Sequence, residues 1–275
     1  MHPAISINTL SLAPDRLDRQ VNVVARLGAR AISPDLMHVD EFGVAETART
    51  IRDAKLEIAT LTHRAFGFVT DQEAADARAR LERTIGIAGE IGAKTILMTT
   101  GGRAHLSWGD AAERFAAAVR PCADLAEKAG IRLGIEPTSH LYADSSIVHR
   151  LADTTAVARK AGLYVIPDIF ACWVDSDIEA AIADAGSSLA MIQVADYVYG
   201  DRGLPCRAVP GDGAVPFERI VPAIMATGFT GYFDLEIIGP RLQEEGQEAG
   251  LMRGAEYLGK LIDSCKTSEQ GGSDG

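Results

Sequence analysis

The sequence predicts an α/β chain folded as a single (β/α)8 TIM barrel. Three observations predict it. Short apolar runs alternate with longer amphipathic ones along all 275 residues, and strands alternating with helices imply a parallel sheet. About eight such units follow one another without a linker or a shift in composition, which favours closure into a barrel over an open sheet. No G-x-G-x-x-G or Walker-type loop follows an early strand, so a doubly wound nucleotide-binding sheet lacks its motif. The domain is expected to span residues 1–265. The small, polar tail "KTSEQGGSDG" (266–275) is expected to be disordered.

The elements can be justified in order. "AISIN" is the first strand and residues 15–28 the first helix, since Leu17, Val21, Val24 and Leu27 share one face. Gly28 closes that helix. "RAIS" is the second strand, followed by a helix over 41–54. "EIATLTH" is the third strand, followed by a long helix over 71–92, capped by Asp71 and ended by Gly92. "KTILMTT" is the fourth strand. The helix over 108–130 contains Pro121, a kink or break. "IRLGIE" is the fifth strand, 146–162 a helix, "LYVIPD" the sixth strand and 175–186 a helix. "AMIQVAD" is the seventh strand, followed by a long Gly/Pro-containing loop over 197–213. A helix over 216–228, the strand "GYFDLEI" and a last helix over about 248–265 complete the chain.

Composition narrows the function. A formal net charge of −11 disfavours nucleic acid and anionic membranes, which need basic footprints. It still admits a phosphorylated small substrate held by local donors. The four cysteines are scattered without a C-x-x-C pair, so free thiols are expected. No leader pattern and no 18-residue apolar stretch is visible, and a cytoplasmic protein acting on a small molecule is expected, with a homo-oligomer admitted.

In a (β/α)8 barrel, reactive groups sit at the C-terminal ends of the strands. Four consecutive strands carry oxygen-bearing side chains there: Glu136 in "RLGIEPTSH", Asp168 in "LYVIPDIF", Gln193 in "MIQVADY" and Glu236 in "GYFDLEIIG". Taken singly, each reads more readily as a cap, an ion-pair partner or a core amide. Taken together, three carboxylates at one mouth repel one another and pay desolvation unless a cation balances them. A divalent metal is the economical solution. The all-oxygen set suits Mn²⁺ or Mg²⁺, with Co²⁺ a third candidate, better than Zn²⁺. His63 in "TLTHRAF", His140 and Arg207 are candidate substrate contacts, Arg207 the strongest because a cation there could hold an anionic oxygen. Asp196 reads as a structural hydrogen-bond acceptor before an orienter of ligands. Trp108, Trp173 and the "TTGG" turn (99–102) are weaker candidates for the pocket wall.

At these residues the chain resembles the xylose isomerase-like TIM barrel family of sugar isomerases and epimerases. The resemblance spans nearly the whole chain in element order and rests on "IEP" with Glu136, "IPD" with Asp168, "DLE" with Glu236, and the loop "RAVPGDG" (207–213), similar to the family's R-x-x-P-G-x-G segment. It implies metal ligation by the strand-end residues and substrate contact by Arg207. There are departures. The family's H-x-x-D reads "QVAD", so Gln193 stands where His is usual. Ala171 holds the place of a substrate-binding His, Ser33 that of a strand-two Glu, and Ala195 that of a Lys. The Gln is similar to the ligand used by some 3-dehydroshikimate dehydratases of this family.

The expected function is a divalent-metal-dependent isomerase or epimerase of a sugar or sugar-like hydroxy-ketone, working through an enediolate. Glu136 and Glu236 would serve as both ligands and acid/base groups, with Asp168 and Gln193 as ligands. The first alternative is a lyase or dehydratase on the same scaffold. The second is a non-catalytic metal- or solute-binding barrel.

Overall fold

The computed structural model describes residues 1–270, with side chains described to Lys266. Nine parallel strand segments form the barrel wall: β1 (Ile5–Asn8), β2 (Ala31–Ser33), β3 (Glu57–Ile58), β4 (Leu61–Thr62), β5 (Thr95–Met98), β6 (Arg132–Ile135), β7 (Tyr164–Val165), β8 (Ile192–Val194) and β9 (Phe233–Leu235). They hydrogen-bond in the orders β3-β2-β1-β9-β8 and β4-β5-β6-β7. The expected third strand is one barrel position in two pieces. Its first half pairs with β2 and its second with β5, and changing partners within six residues interrupts the ladder. The bridges Asp35↔Thr62, Val165↔Leu189 and Asp168↔Gln193 join the two arcs into a ring. The last of these is made by two of the strand-end candidates, so closure of the barrel itself sets their spacing.

Around this wall lie α1 (Leu17–Arg26), α2 (Leu36–Phe42), α3 (Val44–Asp53), α4 (Asp71–Ile91), α5 (Trp108–Lys128), α6 (Leu151–Ala161), α7 (Ile169–Cys172), α8 (Ile178–Ala185), α9 (Phe217–Ala226), α10 (Pro240–Glu245) and α11 (Gln247–Gln270). The helix expected over 41–54 begins only at Val44. Gly43, at φ +97°, breaks it from α2, a backbone region that glycine enters without steric cost. The cap of α4 is Thr70, not Asp71. Its Oγ1 accepts from the Glu73 amide at 3.2 Å while the Glu73 carboxylate accepts from the Thr70 amide at 3.0 Å, a reciprocal capping box. Pro121 does not break α5 in two, the helix running through it from Trp108 to Lys128. It lies on the exposed face, where the carbonyl one turn back is left to water. The last helix continues to Gln270, beyond its expected end near Cys265, so residues 266–270 of the expected tail are helical; 271–275 lie outside the described residues.

Strand alternation divides the interior. Ile5, Ile7, Ile32 and Leu235 belong to the main core between wall and helices. Ala31, Ala59, Leu97, Ile166 and Met191 form a second, smaller apolar cluster that plugs the barrel. Above that plug the interior turns polar. The Asp234 carboxylate accepts from Ser6, from Ser33 at 2.6 Å and from Asn8 at 3.0 Å, all buried. One strand step above Asp234 lies Glu236, at the mouth.

Candidate active site at the barrel mouth

The four strand-end residues meet as expected, and Arg207 lies among them. Asp168 follows β7 and caps α7, accepting from the Phe170 amide at 3.1 Å. Its two oxygens take a bidentate pair from Arg207, Nη1 to Oδ1 at 3.1 Å and Nη2 to Oδ2 at 2.6 Å. Arg207 Nη1 also lies 3.2 Å from Glu236 Oε2 and donates to the Glu236 carbonyl at 3.3 Å. The guanidinium lies over the Phe170 ring, 4.9 Å from its centroid. Gln193 donates through Nε2 to Glu236 Oε2 at 2.8 Å, and its own Oε1 is buried with no hydrogen-bond partner among the described residues. Glu136, half-buried at the end of β6, lines a cavity of about 240 Å³ together with Asp168, Arg207, Phe170, Thr99 and Thr138.

The loop that delivers Arg207 is held by Asp196. Its carboxylate accepts from four amides: Tyr197 and Val215 on Oδ1 at 2.8 and 3.1 Å, Gly211 and Gly213 on Oδ2 at 2.9 Å each. A paired Asp196–Ala208 bridge, 2.8 Å in both directions, sits beside them. Gly213 is required for close approach, since a Cβ there would lie 2.2 Å from the Tyr197 carbonyl oxygen. Asp196 therefore fastens the loop, the structural role its sequence context favoured.

Charge is out of balance at this mouth. Three carboxyl groups face one guanidinium. Burial lifts Glu136 well above the ordinary carboxylate range, and the negative charges of Glu236 and Asp168 add to it. Burial also pushes Glu236 up to about 7, against the opposing pull of Arg207. For Arg207, burial works against the charge, but Asp168 and Glu236 outweigh it and hold the guanidinium protonated. No three His, Cys, Asp or Glu side chains among the described residues form a ready metal cage, and Arg207 spans Asp168 and Glu236. Two features nonetheless fit a divalent cation: the buried oxygen of Gln193 with no hydrogen-bond partner among the described residues, and three carboxyl groups around one guanidinium, two of them pushed toward the protonated form that a bound cation would reverse. Glu136, Asp168, Gln193 Oε1 and Glu236 are the donors that could hold it, and all are oxygens.

Two expected contacts fall elsewhere. His63 does not reach the cavity. It is buried against α4, its Nδ1 2.9 Å from Thr84 Oγ1, and burial, with Arg80 and Arg64 nearby, brings it down to about 4. Pairing of Thr62 with β5 turns the next side chain outward to the helix layer. His140 is exposed in a short 3-10 turn, on the rim of an adjoining groove and not in the cavity. Trp108 donates to the Ile147 carbonyl at 2.8 Å and stands outside the cavity. Gly101 of the "TTGG" turn passes so close to Phe66 that a Cβ would lie 2.0 Å from its carbonyl oxygen, while Thr99 does line the cavity.

Two residues went unread in the sequence. Asp234 was visible in principle, because "FDLE" places it two residues from Glu236 on the same strand face. Phe170 carried no signal, since its contact with Arg207 spans a loop.

Fold and site together define a (β/α)8 barrel with an ionisable, largely buried mouth at the C-terminal strand ends. A family model described as xylose isomerase-like TIM barrel matches residues 21–261, and the chain belongs to that family. Solved structures agree on the fold. Protein SMc04130 from Sinorhizobium meliloti 1021 is 22% identical, with 95% of this chain and 98% of that one covered and a TM-score of 0.84. An L-ribulose 3-epimerase is 19% identical over 98% of each chain, with a TM-score of 0.81. The IOLI protein, solved with a bound zinc atom, is 14% identical over 96% and 99%, with a TM-score of 0.83. No curated protein sequence matches the chain.

Proposed function

We propose that the protein is a divalent-metal-dependent isomerase or epimerase acting on a small sugar or sugar-like hydroxy-ketone. The observation that carries this reading is a small cavity lined by Glu136, Asp168 and Arg207, with Glu236 buried against Arg207 and Gln193, whose Oε1 has no hydrogen-bond partner among the described residues. An ion held by Glu136, Asp168, Gln193 and Glu236, Mn²⁺ or Mg²⁺ by the hardness of the donors, would supply polarisation of the substrate carbonyl.

The chain's own groups do the rest. Glu136, which lines the cavity and keeps some exposure, takes the proton from the carbon beside the carbonyl. Arg207 holds the oxygen on which negative charge grows, a donor already fixed by Asp168 and Phe170. Glu236, across Arg207 and Gln193 from Glu136, returns a proton to the neighbouring atom or the opposite face. The resemblance to L-ribulose 3-epimerase in fold supports the reading without fixing the sugar.

The test is exchange of the substrate's α-proton with deuterated solvent, followed by NMR over a panel of ketoses with Mn²⁺ present. Exchange is expected, and Glu136→Gln and Glu236→Gln should each slow it by about 100-fold or more. Full activity in Glu236→Gln would remove it from the acid/base role.

Gln193 favours one second reading, a dehydratase on the same scaffold. Here the same proton is removed and a β-hydroxyl leaves. New ultraviolet absorbance from a conjugated product distinguishes it.

A further inference from the structure

Beside the reaction cavity runs a groove of about 540 Å³, and the two share Ser139, Phe170 and Leu204. The cavity alone, about 240 Å³, falls below the roughly 300–1,000 Å³ of ordinary ligand sites. One small ring fills it, and the adjoining groove offers room for anything attached to that ring.

The groove floor is aromatic. Phe170 meets Tyr197 at 6.2 Å between centroids, and Trp173 meets Tyr197 at 6.1 Å. The Tyr197 hydroxyl is tied to the Asp201 carbonyl at 2.7 Å, which steadies the ring. Apolar side chains are left in water around it: Leu141 is 61% exposed and Val174 67%, both on the groove lining. Such a patch beside a cavity marks a binding groove more often than accident. The rim is polar. The Arg202 side chain makes no hydrogen bond or ion pair among the described residues, and His140 is exposed beside it. Stacking faces below and unpaired donors at the edge suit a sugar ring, which offers C–H faces to the aromatics and hydroxyls to the rim.

We infer that this groove is a second subsite for a substrate of two linked rings: a ketose carrying a glycosyl group, its hydroxy-ketone end in the cavity and its second ring on Phe170, Trp173 and Tyr197. The inference rests on the hydroxy-ketone reading of the cavity. It adds that the substrate is a glycosylated sugar, and it makes Trp173 and Arg202 determinants of specificity.

Trp108→Phe leaves Trp173 as the single tryptophan, and its fluorescence can be titrated with isomaltulose, a 6-O-glucosyl ketose, and with D-fructose, in Mn²⁺. Isomaltulose is expected to quench Trp173 and to bind at least about tenfold tighter than fructose. Calorimetry on Trp173→Ala should bring that ratio to about one. Arg202→Ala, on an exposed side chain with no packing role, should lower it several-fold and keeps the test open if Trp173→Ala folds poorly. Equal affinities in the starting protein, or a ratio that survives in both variants, overturn the inference. So does light scattering in which Trp173→Ala dissociates an oligomer while isomaltulose shows no advantage, because the groove is then a subunit interface. An intact isomaltulose preference with no proton exchange on any ketose sinks the isomerase reading and leaves the subsite standing.

Discussion

Gln193 illustrates how far one residue can be read. Its place in an otherwise apolar strand marked it as a candidate ligand, and its oxygen is buried with no hydrogen-bond partner among the described residues. What the sequence did not disclose is that the amide nitrogen is committed to Glu236. His63 runs the other way. A histidine ending a barrel strand suggested substrate contact, yet the ring packs on Thr84 with its titration down to about 4. The consequence concerns stability. The unfolded chain protonates His63 near 6.5 and the folded one near 4, so between these values the unfolded state binds the extra proton. The His63 contribution is fully present above about 6.5 and is lost as pH drops toward 4, by on the order of 3 kcal/mol. Urea denaturation of the wild type and His63→Gln across pH 4 to 7 checks this. The variant should lose that part of the slope, and an unchanged pH dependence would count against it.

At the scale of elements, the segment from β8 through Arg207 is the most consequential. Asp196 gathers four loop amides onto one buried carboxylate. Asp196→Asn offers an amide nitrogen where acceptors are needed and should cost roughly 3 kcal/mol. It should also weaken turnover, because Arg207 loses its placement. A loss below about 1 kcal/mol in denaturation would mean the loop is held by other contacts. The start of α4 offers a smaller measurement: Thr70→Ala removes one half of the capping box and should cost about 1 kcal/mol, read as a lowered denaturation midpoint. Elements were legible where a period repeats over many residues, as in the first helix face of Leu17, Val21 and Val24. They were misread where a single tertiary partner decides, as in the third strand, whose halves serve different neighbours.

For the whole molecule, the three carboxyl groups gathered at the mouth lead to a test that does not depend on turnover. An ion that binds the folded chain and not the unfolded one stabilises it by mass action, by about 2.7 kcal/mol at 100 times its dissociation constant. For a chain of this length that is a rise of roughly 5 °C or more in melting temperature. Mn²⁺ or Mg²⁺ at millimolar concentration should produce it and EDTA should reverse it. Gln193→Ala should shrink the rise. No shift with Mg²⁺, Mn²⁺ or Co²⁺ would sink the divalent-cation reading and leave Arg207 as the balancing charge.

The sequence by itself determined the barrel and the strand ends that bear oxygen donors, because periodicity and chain order are local properties. Tertiary structure alone decided what those donors touch. The Asp168–Arg207 pair joins residues 39 apart in the chain, and the Asp234–Ser6 bond joins residues 228 apart. Such contacts exist only once the ring closes. The closing bridge between Asp168 and Gln193 belongs to the ring that brings Asp168 close enough to raise the titration of Glu136 and Glu236 and places a guanidinium between Asp168 and Glu236.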